Sequence, residues 1–339
     1  MATVVTSNLV TDLSSSPDVT QAYFSKRTLT RAKHKNYHGR CAADTQEIPK
    51  MSGKHIIMRR WLHLALALSP LAESTPPAGK TPTLDDYQAQ LYQHGDFIAL
   101  SDYAQWTQQD PLLQYWTALL GEQEGYTIDA VDRDTAIAGT GVTYANGSAR
   151  TDITEIVDFN DLDRAIRTLT DNGAETSLGG NSTNGTVNSF PTMPAYPAIT
   201  APSVMFDIQN ITGYKWASEY KGWAEGEVGR YKQLAFFQAP DPSNLGAGAK
   251  VFTSGGGSST LVKNTAGTVN VYTILIMAQN GFTKVPLNGK TSQFFAKPLG
   301  SAGSADPLDQ VATLGWKTIG ARSRTNENWI HRIECAASL

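Results

Sequence analysis

One long helical pattern, from Asp110 to Gly139, constrains the fold of this chain more than any other feature. Asp110 and Pro111 are typical of a helix start, because Asp accepts hydrogen bonds there and Pro is tolerated at the first helical position. Apolar residues then recur at roughly helical spacing, the charged residues of the second half are expected on the outward side, and Gly139 provides a stop. About 28 residues at ~1.5 Å each predict a rod of roughly 42 Å. No second pattern of this length is visible, so we interpret the rod as a spine rather than as one member of a helix bundle.

The net charge of −3 hides an asymmetry along the 339 residues. Residues 1–60 contain ten Lys or Arg and four Asp or Glu, which gives +6 there and −9 on the remainder. A basic arm can bind polyanions or dock on the acidic surface of a neighbouring subunit, and we favour docking. Cys41 and Cys335 suggest no disulfide framework. The apolar run Trp61–Leu68 is far shorter than the ~20 residues of a membrane span, and we expect no signal peptide.

Two strand patterns separated by a proline-rich segment predict an extended β-hairpin. The first pattern, Lys54–Trp61, places Ile56, Met58 and Arg60 on one face, and the second covers Tyr87–Leu100. A two-stranded ribbon is marginal in water, and a structureless loop of ~20 residues is unusual inside a compact domain. We therefore predict that the tip, residues 62–83, packs on another subunit.

The remaining pattern is mixed helix and strand. We predict a short helix over 101–108, a helix over 161–171 capped by Asn160 and closed by Asn172-Gly173, and another over 203–211. Strands are predicted at 229–238, at 269–278 as a buried central strand, and at 311–322 and 328–336. The segments 177–202 and 239–268 are predicted to be loops because they are rich in Gly and Ser.

No pattern in the chain indicates catalysis, so we expect no enzymatic activity, no cofactor and no metal site. Gly139-Thr-Gly141 lacks the third glycine of a dinucleotide fingerprint, and Gly79-Lys80-Thr81 has Ser74 where a phosphate-binding loop needs its first glycine. His34 and His38 have metal-ligand spacing but lie among cations, so we interpret them as part of a solvated arm.

Acidic pairs and the aromatic-basic triplet also have plainer interpretations. Asp85-Asp86 and the pair Asp132 and Asp134 are interpreted as solvated faces rather than catalytic dyads. Arg59-Arg60-Trp61 could bind single-stranded nucleic acid by stacking, but subunit contact is favoured.

Several segments together resemble a known family. Arg60-Trp-x5-Ala-Leu-Ser-Pro-Leu-Ala-Glu-Ser-Thr-Pro-Pro-Ala-Gly resembles the E-loop tip of tailed-phage major capsid proteins. The most specific segment runs Lys297-Pro-Leu-Gly-Ser-Ala-Gly-Ser-Ala-Asp-Pro-Leu-Asp-Gln-x4-Gly-Trp-Lys. Further similar segments are Tyr92-x2-Gly-Asp-Phe-Ile-Ala-Leu-Ser-Asp, Asp110-Pro-Leu-Leu, Leu120-Gly-Glu-Gln and Asp132-Arg-Asp. Over roughly residues 20–336 the chain looks like the N-four-type branch of capsid proteins, which has the Hong Kong-ninety-seven-type fold.

The resemblance implies an α+β phage-capsid fold with an N-terminal arm, an E-loop, a spine helix, a P-domain sheet and an A-domain. The implied segments are 1–50 for the arm, 51–100 for the E-loop hairpin, 101–155 for the P-domain with the spine, 156–292 for the A-domain, and 293–339 for C-terminal strands returning to the P-domain. The Gly/Ser-rich loops of the A-domain match nothing that we can place in the family.

The implied function is that of a major capsid protein, which forms pentamers and hexamers of an icosahedral shell around double-stranded DNA. Its partners would be other copies of itself, scaffolding, portal and decoration proteins, and packaged DNA bound non-specifically, with no membrane; its location would be the virion, after assembly in the bacterial host cytoplasm. An encapsulin-like nanocompartment shell and an extracellular β-rich glycan-binding protein are the alternatives. The candidate subunit-contact residues are Arg59, Arg60, Trp61, Leu64, Leu66, Leu68 and Leu71.

Overall fold

The computed structural model describes residues 37–41, 47–68, 70, 79–107, 112–178, 194–220, 223–241, 248–253, 269–288, 292–301 and 306–339. These residues form a mixed α+β structure with one two-stranded, one four-stranded and one eight-stranded sheet. The helices are α1 (Asp102–Thr107), α2 (Leu112–Ile137), α3 (Phe159–Asp171) and α4 (Pro202–Gln209). The strands are β1 (His55–Trp61), β2 (Leu84–Gln90), β3 (Tyr92–Ser101), β4 (Val142–Tyr144), β5 (Tyr196–Thr200), β6 (Tyr214–Trp216), β7 (Glu227–Tyr231), β8 (Leu234–Gln238), β9 (Val251–Thr253), β10 (Asn270–Met277), β11 (Phe282–Pro286), β12 (Gln293–Lys297), β13 (Val311–Arg324) and β14 (Ile330–Cys335).

The predicted hairpin is present as an antiparallel ribbon of β1 and β2, in which Trp61 lies opposite Leu84. The predicted face is also correct, because Ile56 and Met58 are half-buried and pack on a small core cluster with Ala89. The second strand differs from the prediction. It begins at Leu84 and is interrupted at Leu91, where the chain leaves the ribbon.

Beyond Leu91 the same stretch becomes β3, which belongs to the four-stranded sheet. The fourteen-residue β13 pairs with β3 along one edge and with β12 and then β11 along the other. One face of this sheet packs on the first half of α2 in a shared cluster of Leu100, Trp116, Leu120, Phe294, Leu314 and Trp316. The ribbon is therefore anchored on the sheet that carries the long helix.

The predicted spine is α2, which has 26 residues and spans about 39 Å at ~1.5 Å per residue. It ends at Ile137, close to the predicted stop at Gly139, while Asp110 and Pro111 lie outside the described residues. The expectation that the charged residues of its second half face outward is wrong for three of the four, since only Asp134 is largely exposed. Asp129, Asp132 and Arg133 are all buried, because the end of the helix passes between the two larger sheets.

The eight-stranded sheet has β10 near its centre, between β14 and β5, and the predicted burial of β10 is confirmed. Its two faces are covered differently. Leu162 of α3 and Met205 of α4 pack with Ile274 and Ile276, whereas Ile137 of the spine packs with Leu275 on the opposite face.

Several local predictions need correction for the part of the chain that forms the eight-stranded sheet and its helices. Helix α3 begins two residues before the predicted start, because Asp158 rather than Asn160 is the N-cap and shares a capping box with Asp161. The predicted loop 177–202 contains the buried strand β5, and the predicted loop 239–268 contains β9. The predicted strand 229–238 is a hairpin, β7 and β8, whose turn carries Lys232 at a positive φ of 48°.

The predicted domain boundaries stay a prediction, but the sheets divide the C-terminal strands in a way that the pattern did not indicate. β12 and β13 lie in the four-stranded sheet, whereas β14 pairs with β10 in the eight-stranded sheet. Residues 179–193, 242–247 and 254–268, which include most of the Gly/Ser-rich loops, lie outside the described residues.

Candidate functional site

The tip of the ribbon presents apolar side chains to solvent. Leucine occupies every second position from Leu62 to Leu68, with His or Ala between. These side chains are exposed, up to 79% for Leu66 and 83% for Leu68, and the adjacent Trp61 is 64% exposed. Leu71 lies outside the described residues. A contiguous row of large exposed apolar residues marks an interaction surface.

The two candidate arginines have partners within their own ribbon. Because β1 and β2 place Arg59 opposite Asp86 and Arg60 opposite Asp85, ion pairs form at 3.3 and 3.4 Å. The guanidinium of Arg60 also lies 5.3 Å from the ring centre of Tyr87. Asp85 and Asp86 therefore lie on opposite faces of the ribbon, and each is paired across the strands with an arginine. Exposed pairs of this kind contribute at most ~1 kcal/mol each, so they fix register more than stability.

A buried ion cluster joins the spine to the four-stranded sheet. Asp132 of α2 is fully buried and accepts a hydrogen bond of 2.6 Å from Nε of Arg322 on β13. Nζ of Lys284, on β11, lies 3.3 Å from the same carboxylate. The interpretation of Asp132 as a solvated face is therefore wrong, although its neighbour Asp134 is largely exposed. The role of Asp132 is structural, because its oxygens face cations of the same chain.

The end of the basic arm is fixed to the middle of the spine. His38 is buried, its backbone N donates to Asp129 Oδ1 at 2.7 Å, and its Nδ1 lies 2.9 Å from Asp129 Oδ2. The prediction that His38 belongs to a solvated arm is therefore wrong, while His34 lies outside the described residues. This two-point contact fixes His38 against the spine.

Two arginines from the sheets complete the C-terminal end of the spine. Arg324 donates to the carbonyl oxygen of Thr135 at 2.8 Å, and Arg332 donates to that of Ile137 at 2.7 Å. The last carbonyls of a helix have no partner within the helix and carry its negative dipole, so guanidinium groups stabilise them. Arg324 belongs to the four-stranded sheet and Arg332 to the eight-stranded sheet, so the end of the spine is hydrogen-bonded to both sheets.

A second buried charge network lies in the eight-stranded sheet around Glu334. Arg150 donates to both Glu334 oxygens at 2.7 Å, and Arg332 donates at 2.9 Å. Burial acts to raise the pKa of Glu334, but the hydrogen bonds and positive charges of the two arginines outweigh it and lower that pKa. The neighbouring His331 lies 2.8 Å from the Thr143 hydroxyl, and burial, with a smaller effect of Arg332, lowers its pKa to about 4.

The outer face of the four-stranded sheet has a notch that the sequence analysis did not identify. Gly315 of β13 lies between Phe97 of β3 and Phe295 of β12, which are its cross-strand neighbours on either side. Both rings are exposed, and the cavity above Gly315 measures about 690 Å³. A glycine inside a strand pattern flanked by aromatic residues is the sequence signal that could have indicated it.

Among the described residues, no group of three or more His, Cys, Asp or Glu side chains is close enough together to hold a metal ion. In the same part of the chain, no helix is both long and apolar enough to span a membrane. Asp132 and Asp134 each form an ion pair with an arginine of their own chain.

No protein-family model matches this sequence, and no curated protein is significantly similar to it. Solved structures, in contrast, match along most of the chain. The capsid of Ralstonia phage GP4 matches with a TM-score of 0.63 and 12% identity, covering 90% of this chain and 92% of that one. The capsid of cyanophage P-SCSP1u matches with a TM-score of 0.56 and 13% identity, covering 88% and 86%. The capsid of cyanophage Pam1 matches with a TM-score of 0.53 and 12% identity over 95% of each chain. The chain therefore has the fold of bacteriophage capsid proteins.

Proposed function

We propose that this chain is the major capsid protein of a bacteriophage and builds the shell of the virion head. The observation that carries the proposal is the exposed leucine row on a ribbon that projects from a chain with a capsid-protein fold. We assign the fold to the Hong Kong-ninety-seven type and the chain to its N-four-type branch, on the sequence resemblance. The role is structural rather than enzymatic.

The proposed mechanism is repeated burial of surface that one chain leaves open. Burying a leucine side chain fully contributes ~1.5–3 kcal/mol, so the tip can supply several kcal/mol at each contact. Head-to-tail contacts between identical chains close into rings when the rotation between them closes. Pentamers and hexamers of an icosahedral shell around double-stranded DNA are the assembly that we propose.

The candidate contact residues fall into two groups under this proposal. Trp61, Leu64, Leu66, Leu68 and Leu71 supply apolar surface to a neighbouring subunit. Arg59 and Arg60 hold the ribbon in register through their pairs with Asp86 and Asp85, and thereby position that surface.

Partners and domains follow the same proposal. Scaffolding, portal and decoration proteins, together with packaged DNA bound non-specifically, are the further partners, and assembly takes place in the bacterial host cytoplasm. The segments 1–50, 51–100, 101–155, 156–292 and 293–339 are the proposed arm, E-loop, P-domain, A-domain and C-terminal strands.

Negative-stain microscopy of the expressed chain tests the proposal, with and without co-expression of a scaffolding partner from the same viral genome. Rings or closed shells of uniform diameter are expected in at least one of the two preparations. A compact monomer at high concentration in both would contradict the proposed function.

A further inference from the structure

The interface between the spine and the four-stranded sheet changes character along its length. Its first half is the apolar cluster around Trp116 and Leu120. Its second half, which we call the polar half, contains two buried acids of the spine, Glu124 and Asp132, two helical turns apart. Ser292, next to β12, donates to Glu124, and Arg322 of β13 donates to Asp132, so both acids face the sheet. The polar half is therefore joined by hydrogen bonds and charges rather than by apolar packing.

His94 of β3 lies on the side of the sheet that faces the spine. It is directly opposite Thr318 of β13, and residues opposite each other in an antiparallel pair share a face. Trp316, two residues before Thr318, packs on the spine from that face. Asp96, two residues from His94, accepts a hydrogen bond of 2.6 Å from Gln123 of the spine. His94 is therefore the next side chain along β3 toward the polar half.

Hydrogen bonding is incomplete in the polar half. Among the described residues, seven buried side-chain polar atoms have no hydrogen-bond partner, and four of them lie here. They are His94 Nε2, Glu124 Oε2, Asp132 Oδ2 and Arg322 Nη1. Buried polar atoms are nearly always paired, because an unpaired one loses its hydration without compensation. The polar half is thus the part of the interface that separates at the lowest cost.

The charges around His94 do not favour a further cation. Asp132 pairs with Arg322 and also lies 3.3 Å from Nζ of Lys284 on β11, so two cations share one carboxylate. Burial lowers the pKa of His94, the charge of Arg322 lowers it further, and the opposite effect of Asp132 is smaller. Burial raises the pKa of Glu124, so this second acid loses its charge earlier than an ordinary glutamate as the pH falls.

We propose that protonation of His94 opens the polar half of the spine–sheet interface while the apolar half stays packed. The added charge meets Arg322 and Lys284, whose only buried counter-charge among the described residues of this cluster is Asp132. Because the closed interface favours neutral His94, it loses stability as the pH falls below ~6.5, the ordinary pKa of histidine. The contacts lie within one chain, so the inference does not depend on the proposed function.

Amide hydrogen exchange of the unassembled full chain, read by mass spectrometry, tests this opening. Peptides that cover residues 124–132 are compared at pH 7.5 and pH 5.0, after correction for the intrinsic effect of pH on exchange. Their protection is expected to fall about fivefold or more in the wild type. In His94→Gln, which keeps a polar side chain of similar length without a charge, the change is expected to stay below about twofold.

Three other histidines provide matched controls. His331→Gln removes the buried histidine of the eight-stranded sheet, and His38→Gln removes the one that is bonded to Asp129 of the spine. His55→Gln changes an exposed position of β1. All three variants are expected to keep the acid response of residues 124–132, because the local opening depends on His94.

A second measurement needs no change at position 94. Histidine side-chain NMR signals of the unassembled wild type are followed from pH 8 to pH 5, with His94 assigned by its contact with the methyl group of the opposite Thr318. We expect His94 to titrate below ~6.5, and the Nε–H signal of Arg322 to shift with the same midpoint.

The outcomes decide the proposal in either measurement. It is overturned if residues 124–132 lose no protection in acid, or lose it equally in the wild type and His94→Gln. It is also overturned if His331→Gln or His38→Gln abolishes the response, since the cause would then lie elsewhere. In the NMR titration, a His94 midpoint at or above 6.5, or an Arg322 signal that does not move, would contradict it.

Discussion

The spine and the ribbon tip distribute their side chains in opposite ways. The second half of the spine buries Asp129, Asp132 and Arg133, and every one of these charges has a partner in its own chain. The tip exposes Leu64 and Leu66 to water. Charges inside and leucines outside both run against the usual rule, but for different reasons. The buried charges of the spine have partners within their own chain, whereas we propose that the tip is covered by another, so we expect changes in the spine to affect folding and changes in the tip to affect assembly.

The largest effect on the folding of one chain is expected for Asp132→Ala. The change leaves Arg322 buried with its main counter-charge removed, and breaking a buried pair in this way costs about 3–5 kcal/mol. Urea denaturation of the unassembled chain measures the free energy of unfolding. Asp171→Ala on α3 is the control and should cost less than about 1 kcal/mol, since both Asp171 and its partner Arg167 are mostly exposed. Equal losses would show that the spine does not rely on the buried cluster.

Lowering the pH should destabilise the eight-stranded sheet by an amount similar to that expected for Asp132→Ala. Burial and the charge of Arg332 lower the pKa of His331 to about 4 in the folded chain. In the unfolded chain its pKa is about 6.5, so between these two pH values the unfolded chain binds one more proton than the folded chain. Stability therefore falls as the pH is lowered from about 6.5 to about 4, by roughly 3 kcal/mol in total. The lowered pKa of Glu334 acts in the same direction. Melting temperatures at pH 7 and pH 5 measure the effect, and His331→Gln should show a smaller difference between the two than the wild type.

An intermediate effect is expected where the arm meets the spine. His38→Ala removes the side-chain partner of the buried Asp129 Oδ2, and an unsatisfied buried acceptor costs about 1–3 kcal/mol. His55→Ala, at an exposed position of β1, is the matched control and should cost nothing measurable. Thermal melting of both unassembled variants makes the comparison. If both melt like the wild type, the contact with Asp129 is not important for stability.

The smallest effect on folding, and the clearest on assembly, is expected from removing the tip. Replacing residues 62–83 by Asn-Gly joins Trp61 to Leu84, which already face each other in the ribbon, and a two-residue turn fits such a pair. Melting of the unassembled chain should change by less than about 1 kcal/mol, because loop closure depends only weakly on length. Closed shells should disappear. Normal shells would show that the tip is no assembly element, and an unfolded chain would show that it is part of the core.

The elements with a clear local pattern were predictable from the sequence. The spine, β1 and the buried β10 follow patterns that local sequence determines. The strand β5 was missed because Pro197 and the surrounding glycines, serines and prolines resemble a loop, and only pairing with β8 and β10 makes it a strand.

The burial of charges and the notch could not be predicted in the same way. Asp132 and Arg322 are 190 residues apart in the sequence, and nothing near Asp132 indicates that a cation will meet it. The local pattern of a charged residue followed by another charged residue is the same for a solvated face and for a buried pair. The notch depends on the register of three strands, since Gly315 lies between Phe97 and Phe295 only when both pairings are in place.

The hydrogen-bonded ribbon that separates the tip from the four-stranded sheet has a consequence for how the reach of the tip can change. At the base of the ribbon, Leu91 N donates to the carbonyl oxygen of Lys54 at 2.8 Å, and β3 then pairs with β13 in the four-stranded sheet over ten residues. One residue inserted into each ribbon strand would turn every outer side chain to the opposite face, whereas two would restore the faces and move the tip by ~6.8 Å. The length of the ribbon can therefore change in steps of two residues without reversing which side chains lie on each face. Related chains that build shells with different spacings between neighbours should differ in the length of this ribbon by even numbers of residues.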